Sequence, residues 1–408
     1  MTPIRTVVRQ LHLWLGLSLG ALFALLGATG SVLVFYEDID ALLHPEIRIV
    51  SDTPAPGWDS PVWDRALATL RARWPERDGS WRFELTDRTG PIPVRYQSSG
   101  EGHHGHRVMV WLSPDGRQVL READWGAYAM TWIYNLHMDL LQHAPGRAVV
   151  GWSGVATLVL LLSGLWAWWP KGSWRKALQY KGDAAASRRL RDLHKLAGLA
   201  SLPLLLMLAG TGAMMSLPKQ SDALLGHTLG PVTRAKTPVS PSKSASTSST
   251  STSTSTSASA PSSHRPQEAR SSRINVAQAL ATAQSAMPQG RIVWFEMPGA
   301  GPGVFFTRVR QPGDPSRRFP QSYVYVDPVS GELLGSHDRA GLGTSDKVNN
   351  WLHPLHDGSS GGLWLRIPLV FVGLAPLALF VTGLMRWRLL RRSRATPART
   401  KRPPLQIA

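Results

Sequence analysis

Apolar residues are concentrated in four long runs, at 11–36, 148–169, 196–217 and 367–385. Each run is close to or above the roughly 20 apolar residues that cross a bilayer as a helix. The first run exceeds the apolar core of a cleaved signal peptide, about 7–15 residues, and no convincing small-residue cleavage site follows it. The pattern therefore predicts an α-helical membrane protein with four transmembrane helices, the first of them an anchor.

The segments outside these runs alternate polar and apolar positions in a way that predicts two small α+β domains. In each, a helical stretch is followed by strand-like runs and by a final hairpin with a turn rich in Pro, Asp or Gly. Helix and turn lie at 62–74 and 113–116 in the first domain, and at 276–286 and 327–331 in the second. Ser and Thr dominate the connection at 218–272, which we expect to be disordered because it has little to bury.

Positive charge predicts the orientation, since cytoplasmic loops carry an excess of Lys and Arg. Arg5 and Arg9 precede the first run, and further basic clusters fill 171–195 and 386–402. All three clusters fall on one side of a four-helix topology. We therefore expect a multi-pass protein of a bacterial inner membrane, with both termini in the cytoplasm and both α+β domains in the periplasm. Much of the net charge of +18 then lies beside anionic lipid.

The absence of cysteine narrows the possible chemistry. With no Cys in the chain, disulfides, Cys-ligated iron–sulfur clusters and Cys-zinc sites are excluded. A metal would need His, Met or carboxylate ligands. No folded basic module indicates a nucleic-acid partner, and no Gly-x-Gly-x-x-Gly opening a strand–helix unit indicates nicotinamide or flavin binding.

The chain also repeats itself, in two registers with constant offsets of 182 and 219 residues. The matching positions are His12 with His194 and Thr29-Gly30 with Thr211-Gly212 in the first register, and His137 with His356, Arg147 with Arg366 and Gly164 with Gly383 in the second. The sequence thus predicts two copies of one order: helix, outer domain, His-bearing segment, helix.

These registers give a division of the chain into nine segments. They are a first transmembrane helix at 1–36, a first α+β domain at 37–126, an outer-face His segment with the second helix at 127–170, a basic loop at 171–192, a third helix at 193–217, the linker at 218–272, a second α+β domain at 273–340, a second His segment with the fourth helix at 341–388, and a basic tail at 389–408.

Four histidines occupy two pairs of equivalent positions. His12 and His194 lie at the cytoplasmic ends of the first and third helices, and His137 and His356 lie on the outer side. Ionisable groups at membrane depth are costly and mark functional sites. Imidazoles from facing helices suit axial ligation of haem iron. The alternative for any one of them is an interfacial histidine bonded to a headgroup or carbonyl.

Other residues could complete such sites. Gly16 and Gly198 lie one turn from His12 and His194, where a missing side chain leaves room for a macrocycle. Arginines could pair with haem propionates, Arg147 and Arg366 on the outer side and Arg9 or Arg191 on the inner side. Weaker candidates are His353, His143 and the loop cluster His103, His104 and His106.

The sequence resembles the PepSY-associated transmembrane helix family, which includes bacterial ferric-siderophore reductases and iron-regulated membrane proteins. The resemblance is carried by Trp-x-x-x-Leu-His at 132–137 and 351–356, by His-x-x-x-Gly-Leu at 12–17 and 194–199, and by the duplicated outer domains. It covers nearly the whole chain except the linker and the basic tail.

The resemblance implies two b-type haems per chain in a four-helix bundle, with PepSY-like domains outside. Carried over by position, the iron ligands are His12, His137, His194 and His356, with His353 as an alternative to His356. The implied activity is transfer of electrons from an unidentified cytoplasmic or membrane donor to a periplasmic Fe(III) complex, such as a ferric siderophore, releasing Fe(II) for iron uptake. Two rival functions stand beside it: a periplasmic binding, sensing or protease-restraining module without redox activity, and a transporter of iron chelates.

Overall fold

The computed structural model describes residues 3–48, 55–85, 90–99, 106–233, 237–238, 274–301 and 303–395. His103, His104, the Ser/Thr tract and most of the predicted basic tail lie outside these residues. The chain forms two compact units. One consists of Met1–Val34, Tyr134–Pro218 and Leu355–Ala408, and the other of Phe35–Ile133 and Lys219–Pro354. We call them the helical unit and the sheet unit.

The α-helices, in chain order, are α1 Pro3–Leu33, α2 Tyr36–Leu43, α3 Val62–Arg73, α4 Ala129–Asp139, α5 His143–Trp168, α6 Trp174–Ala177, α7 Ala186–Ser216, α8 Pro218–Leu229, α9 Val276–Ala286, α10 Thr344–His356 and α11 Leu363–Ala395. The strands are β1 Ser80–Glu84, β2 Ile92–Gln97, β3 Arg107–Leu112, β4 Val119–Asp124, β5 Arg291–Met297, β6 Phe305–Arg310, β7 Ser322–Val326 and β8 Leu333–His337.

Four helices of the helical unit are long and apolar enough to cross a membrane. The candidate spans are Ile4–Leu33, His143–Trp168, Ala186–Ser216 and Leu363–Ser393, with mean hydropathy between 1.7 and 2.3. They coincide with the four apolar runs, so that prediction is confirmed. The helices extend beyond the runs because the flanking basic segments also continue the helical backbone, which a hydropathy pattern does not register.

The four helices surround a common centre, with α1 and α7 each packed against both α5 and α11. Small residues allow the closest approach, as is usual for helices in lipid. A β-carbon added at Gly27 of α1 would collide with the carbonyl oxygen of Gly373 on α11. Nearby, the Ser31 hydroxyl donates a hydrogen bond of 2.9 Å to the Val370 carbonyl. These contacts bring the C-terminal half of α1 against the N-terminal half of α11.

The sheet unit contains one antiparallel sheet of eight strands, in the order β4-β3-β2-β1-β5-β6-β7-β8. The prediction of two separate α+β domains is therefore corrected: β1 pairs directly with β5, with Phe83 opposite Phe295. These two rings stack at 4.8 Å, and Trp63 of α3 packs on Phe295 at 5.3 Å. Helices α3 and α9 cover this face, so both halves share one hydrophobic core.

The linker predicted at 218–272 also needs a correction at its start. Residues Pro218–Leu229 form helix α8, in which Leu225 is buried. The buried Ser345 of α10 donates a hydrogen bond of 3.2 Å to the Leu225 carbonyl. The composition of the long Ser/Thr tract concealed this short amphipathic segment, because the tract lowers the average hydropathy of the whole range.

Candidate functional site

Two of the predicted histidines meet across the helical unit. His12 of α1 and His194 of α7 have ring centres 6.2 Å apart, with the ring planes at 90°. Each helix contributes its residue near its N-terminal end. The structure thus brings together the two side chains that the repeat places at equivalent positions.

The other two histidines form a second pair. His137, near the end of α4, and His356, the last residue of α10, have ring centres 6.1 Å apart, with the planes at 47°. Both pairs therefore have almost the same separation, although they are supplied by different elements.

A backbone carbonyl accepts a hydrogen bond from Nδ1 in at least three of the four rings, each at 3.0 Å. His12 donates to Leu160, His137 to Leu26 and His194 to Leu379. A carbonyl oxygen can only accept, so Nδ1 carries the proton. The neutral ring then presents the lone pair of Nε2, the nitrogen that would bind a metal. Such support of the second nitrogen is usual for metal-binding histidines.

A hydroxyl group stands beside Nδ1 in all four rings. Its distance from Nδ1 is between 2.9 and 3.3 Å, for Ser163 with His12, Thr29 with His137, Thr382 with His194 and Thr211 with His356. Each hydroxyl donates its own proton to a carbonyl of its helix, for example Thr211 to Met207 at 2.7 Å. Its oxygen is thus left to accept from the imidazole, which fixes the same tautomer at His356.

A glycine follows each of these hydroxyl residues and makes room for the ring. A β-carbon at Gly164 would lie 2.8 Å from Cε1 of His12, and one at Gly30 or Gly212 would lie 3.0 Å from Cε1 of His137 or His356. At Gly383 the corresponding distance to His194 is 3.5 Å. At each of the four histidines, therefore, the hydroxyl residue binds the imidazole and the following glycine leaves space for it. We call such a hydroxyl–glycine pair a seat.

Sequence reasoning found most of these residues but missed their role. The pairs Thr29-Gly30 and Thr211-Gly212 served only as markers of the repeat, and Ser163 and Thr382 were not singled out. The signal was present, because a hydroxyl residue precedes Gly at 163, 382, 29 and 211 alike. Gly16 and Gly198, which were expected to give space, have only ordinary contacts: an added β-carbon would lie 3.8 and 3.6 Å from leucine side chains.

The geometry fits a metal held between two imidazoles. With metal–nitrogen bonds of about 2 Å and the radius of each ring added, two axial ligands place their ring centres about 6 Å apart. Both pairs have this spacing. Burial lowers the pKa of His137, which lies outside the four spanning helices, and the hydrogen bond to Leu26 opposes that shift. Neutral imidazole is the form that binds iron.

No group of three or more His, Asp and Glu side chains suited to a metal ion occurs in the described part of the chain. The histidines described above form two pairs. Pairs of histidines are what a porphyrin needs, because the macrocycle supplies the equatorial nitrogens of the iron and the protein supplies the axial positions.

Arg147 and Arg366 each bind a backbone carbonyl, a structural role that the sequence did not indicate. Arg147 donates a hydrogen bond of 3.3 Å to the Met215 carbonyl at the end of α7. Arg366 donates through Nε, at 3.1 Å, and through Nη2 to the Val34 carbonyl just after α1. Carbonyls at helix C-termini lack partners and attract cations. Contact of these arginines with propionates stays a prediction.

The remaining histidines are placed elsewhere. His353 belongs to the sheet unit, where its ring contacts Phe319 at 4.4 Å. His106 pairs with Asp124 at 3.0 Å on the surface, and His143 lies 4.0 Å from Asp139. Of the two candidates on α10, His356 is therefore the one that faces His137.

Comparison with known proteins identifies the family of the chain. The sequence matches the PepSY-associated TM region over residues 9–389, so the chain belongs to that family of membrane proteins. It is also 34% identical over 103 residues to an uncharacterized protein of Pseudomonas aeruginosa strain PAO1, PA4219. That match covers 25% of this chain and 26% of the relative, so it spans about a quarter of either protein.

Proposed function

We propose that this chain is a transmembrane electron-transfer protein with two haem b sites that reduces an Fe(III) complex outside the cytoplasm. The observation that carries the proposal is the pair of matched bis-histidine sites, with ring centres 6.2 and 6.1 Å apart. Four seats of the same design at repeat-related positions are not required for helix packing alone. They are suited to hold imidazoles in a fixed tautomer and orientation.

The residues have defined tasks in this proposal. His12 and His194 hold an inner haem, and His137 and His356 hold an outer one. Bound haem supplies a reversible one-electron couple at each site. Thr29, Thr211 and their counterparts orient the ligands, and the surrounding helices exclude water.

The spacing of the two sites along α1 supports a path across the membrane. His12 and Thr29, which contacts His137, are 17 positions apart, which corresponds to about 26 Å of helix. The hydrocarbon core is about 30 Å thick. One site therefore belongs near each face of a bilayer, and the two sites together divide the path of an electron across it.

Orientation follows from charge. The basic segments lie at the same end of the spans as His12 and His194, so we assign that end to the cytoplasm of a bacterial inner membrane. His137, His356 and the sheet unit then belong to the periplasmic side. The matching order of one helix, four strands and one helix, from α3 to α4 and again from α9 to α10, supports two repeats whose α+β portions are PepSY-like.

The substrate class is the most specific part of the proposal. One electron converts Fe(III) to Fe(II), and the donor on the cytoplasmic side loses that electron. Fe(II) is a softer ion that hydroxamate or catecholate oxygens hold less well, so the iron dissociates for uptake. A ferric siderophore is the complex that the family resemblance favours.

A reoxidation experiment tests this function. Purified protein is reduced with dithionite, freed of excess reductant and mixed with a ferric siderophore while ferrozine traps Fe(II). We expect the haem absorption to return to the oxidised form and one Fe(II) to appear per electron. If reducible haems are never reoxidised by Fe(III) complexes, electron transfer survives but the substrate does not. If no haem is present, the proposal fails.

A further inference from the structure

Arg386 occupies an unusual position at the inner pair of histidines. It lies on α11, four residues after Thr382, whose hydroxyl contacts His194. Four residues along a helix return to the same face, so its side chain starts beside this site. Its Nε atom is buried and has no hydrogen-bond partner. Among the described residues, no Asp or Glu forms an ion pair with its guanidinium group.

Two further arginines lie close to it. Arg9 stands three residues before His12 and Arg191 three residues before His194, so each begins one turn from its histidine. Both act on Arg386 as like charges. The nearby acid, Asp192, is already engaged, with Arg188 at 3.8 Å, Arg191 at 3.6 Å and Lys195 at 3.3 Å. Arg9 and Arg191 are exposed, whereas Arg386 is only partly exposed. A partly buried cation near two like charges is stabilised when an anion joins them.

The other half of the chain shows that the fold itself does not need this arginine. The position equivalent to Arg386 in the register of 219 is Ala167. There, Arg5 donates hydrogen bonds to the carbonyls of Ala167 and Trp169 at the end of α5. Arg388, two residues beyond Arg386, is exposed to its surroundings. Orientation by positive charge is served by exposed residues of that kind and does not explain a buried Nε.

We propose that Arg386, together with Arg9 and Arg191, forms a binding site for the propionate carboxylates of the porphyrin held by His12 and His194. This inference rests on the proposed haem function. Guanidinium groups match carboxylates in shape and bind them through two parallel hydrogen bonds. The site would place a partly buried cation beside the inner haem.

Potentiometry of the purified holoprotein tests the site, with Arg388→Gln as the matched control on the same helix. Arg386→Gln leaves the propionates without their partner, and the uncompensated negative charge stabilises Fe(III). We expect one of the two midpoint potentials to shift to a lower value and the other to stay unchanged. Arg386→Lys should restore part of the shift, and Arg388→Gln should show none. In a His194→Ala background, which removes the inner haem, Arg386→Gln should have no effect on the remaining potential.

A second arm separates haem carboxylates from lipid phosphate as the anion. The protein is reconstituted with haem or with its dimethyl ester, which lacks the carboxylate charge. With haem, Arg386→Gln should bind the porphyrin more weakly than wild type, and with the ester the two proteins should bind it equally, because the carboxylate that Arg386 would pair with is gone. An affinity loss of the same size with the ester points to a lipid anion and contradicts the proposal, as does a wild type with two haems whose potentials are both unchanged in Arg386→Gln. A wild type without haem would instead remove the proposed function itself.

Discussion

The rings of His12 and His194 lie 6.2 Å apart and perpendicular to each other, although 182 positions separate them in the chain. Each is held at Nδ1 by a carbonyl and a hydroxyl of a neighbouring helix, α5 for His12 and α11 for His194. The pair is thus set by four helices at once. Such a site is rigid, which suits an electron carrier because little has to reorganise when its charge changes.

The hydroxyl beside each imidazole is predicted to tune the haem that the imidazole binds. Thr29→Val removes the acceptor at 3.1 Å from Nδ1 of His137 and leaves the Leu26 carbonyl in place. A ring with a weaker hydrogen bond at Nδ1 is a poorer donor to Fe(III), so the outer potential should rise. Loss of such support also weakens metal-site affinity by about 10–100-fold. Spectroelectrochemical titration checks the shift, and Thr29→Ser should restore the wild-type value.

The glycine of each seat is predicted to be sensitive to a single methyl group. In Gly164→Ala the new β-carbon would lie 2.8 Å from Cε1 of His12, so the ring must move from its ligating position. We expect the inner haem to be lost or to change its spectrum, while the outer one stays. Gly210→Ala is the control, because a β-carbon there meets nothing within 4 Å. Equal spectra for both variants would show that the seat does not hold the ring.

The two histidines of α10 are predicted to differ sharply. His356 pairs with His137 at 6.1 Å, whereas His353 packs on Phe319 in the sheet unit. His356→Ala should remove the outer haem and abolish reoxidation by a ferric siderophore, with the inner haem still reducible. His353→Ala should retain both haems. The reverse outcome, with haem lost only in His353→Ala, would show that the outer ligand is His353 and not His356.

The four spans were predictable from the sequence because a bilayer demands a length of apolar chain that few other structures require. The joining of the two α+β portions was not. β1 and β5 each look like an edge strand of a small domain. The alternation of polar and apolar residues along a strand does not identify the strand with which it pairs. Only the structure shows Phe83 opposite Phe295 across 211 intervening positions.

The candidate site was predictable only in part. The repeat placed His12 and His194 at equal depth, which favoured their pairing, but it could not reveal what holds them. Ser163 was overlooked because its counterpart in the other half is Thr382, so a search for identical residues passes over it. A comparison by chemistry, hydroxyl followed by glycine, would have found it.

The assigned orientation can be measured with reporter fusions. Alkaline phosphatase fused after Ser99 should be active, because that position belongs to the sheet unit on the proposed periplasmic side. The same reporter after Lys181, in the basic connection between α6 and α7, should be inactive, and a cytoplasmic reporter there should be active. Phosphatase activity at Lys181 would reverse the direction of electron flow that we propose.

The most direct test of the account is the haem content of the purified protein and of its inner-site variants, measured by pyridine haemochrome absorption against protein concentration. The wild type should carry two haems b per chain. His12→Ala and His194→Ala should each retain one haem with the same potential, and the double variant should lose no more, since both residues serve one site. A wild type without haem, or full haem content in both single variants, would contradict the bis-histidine assignment.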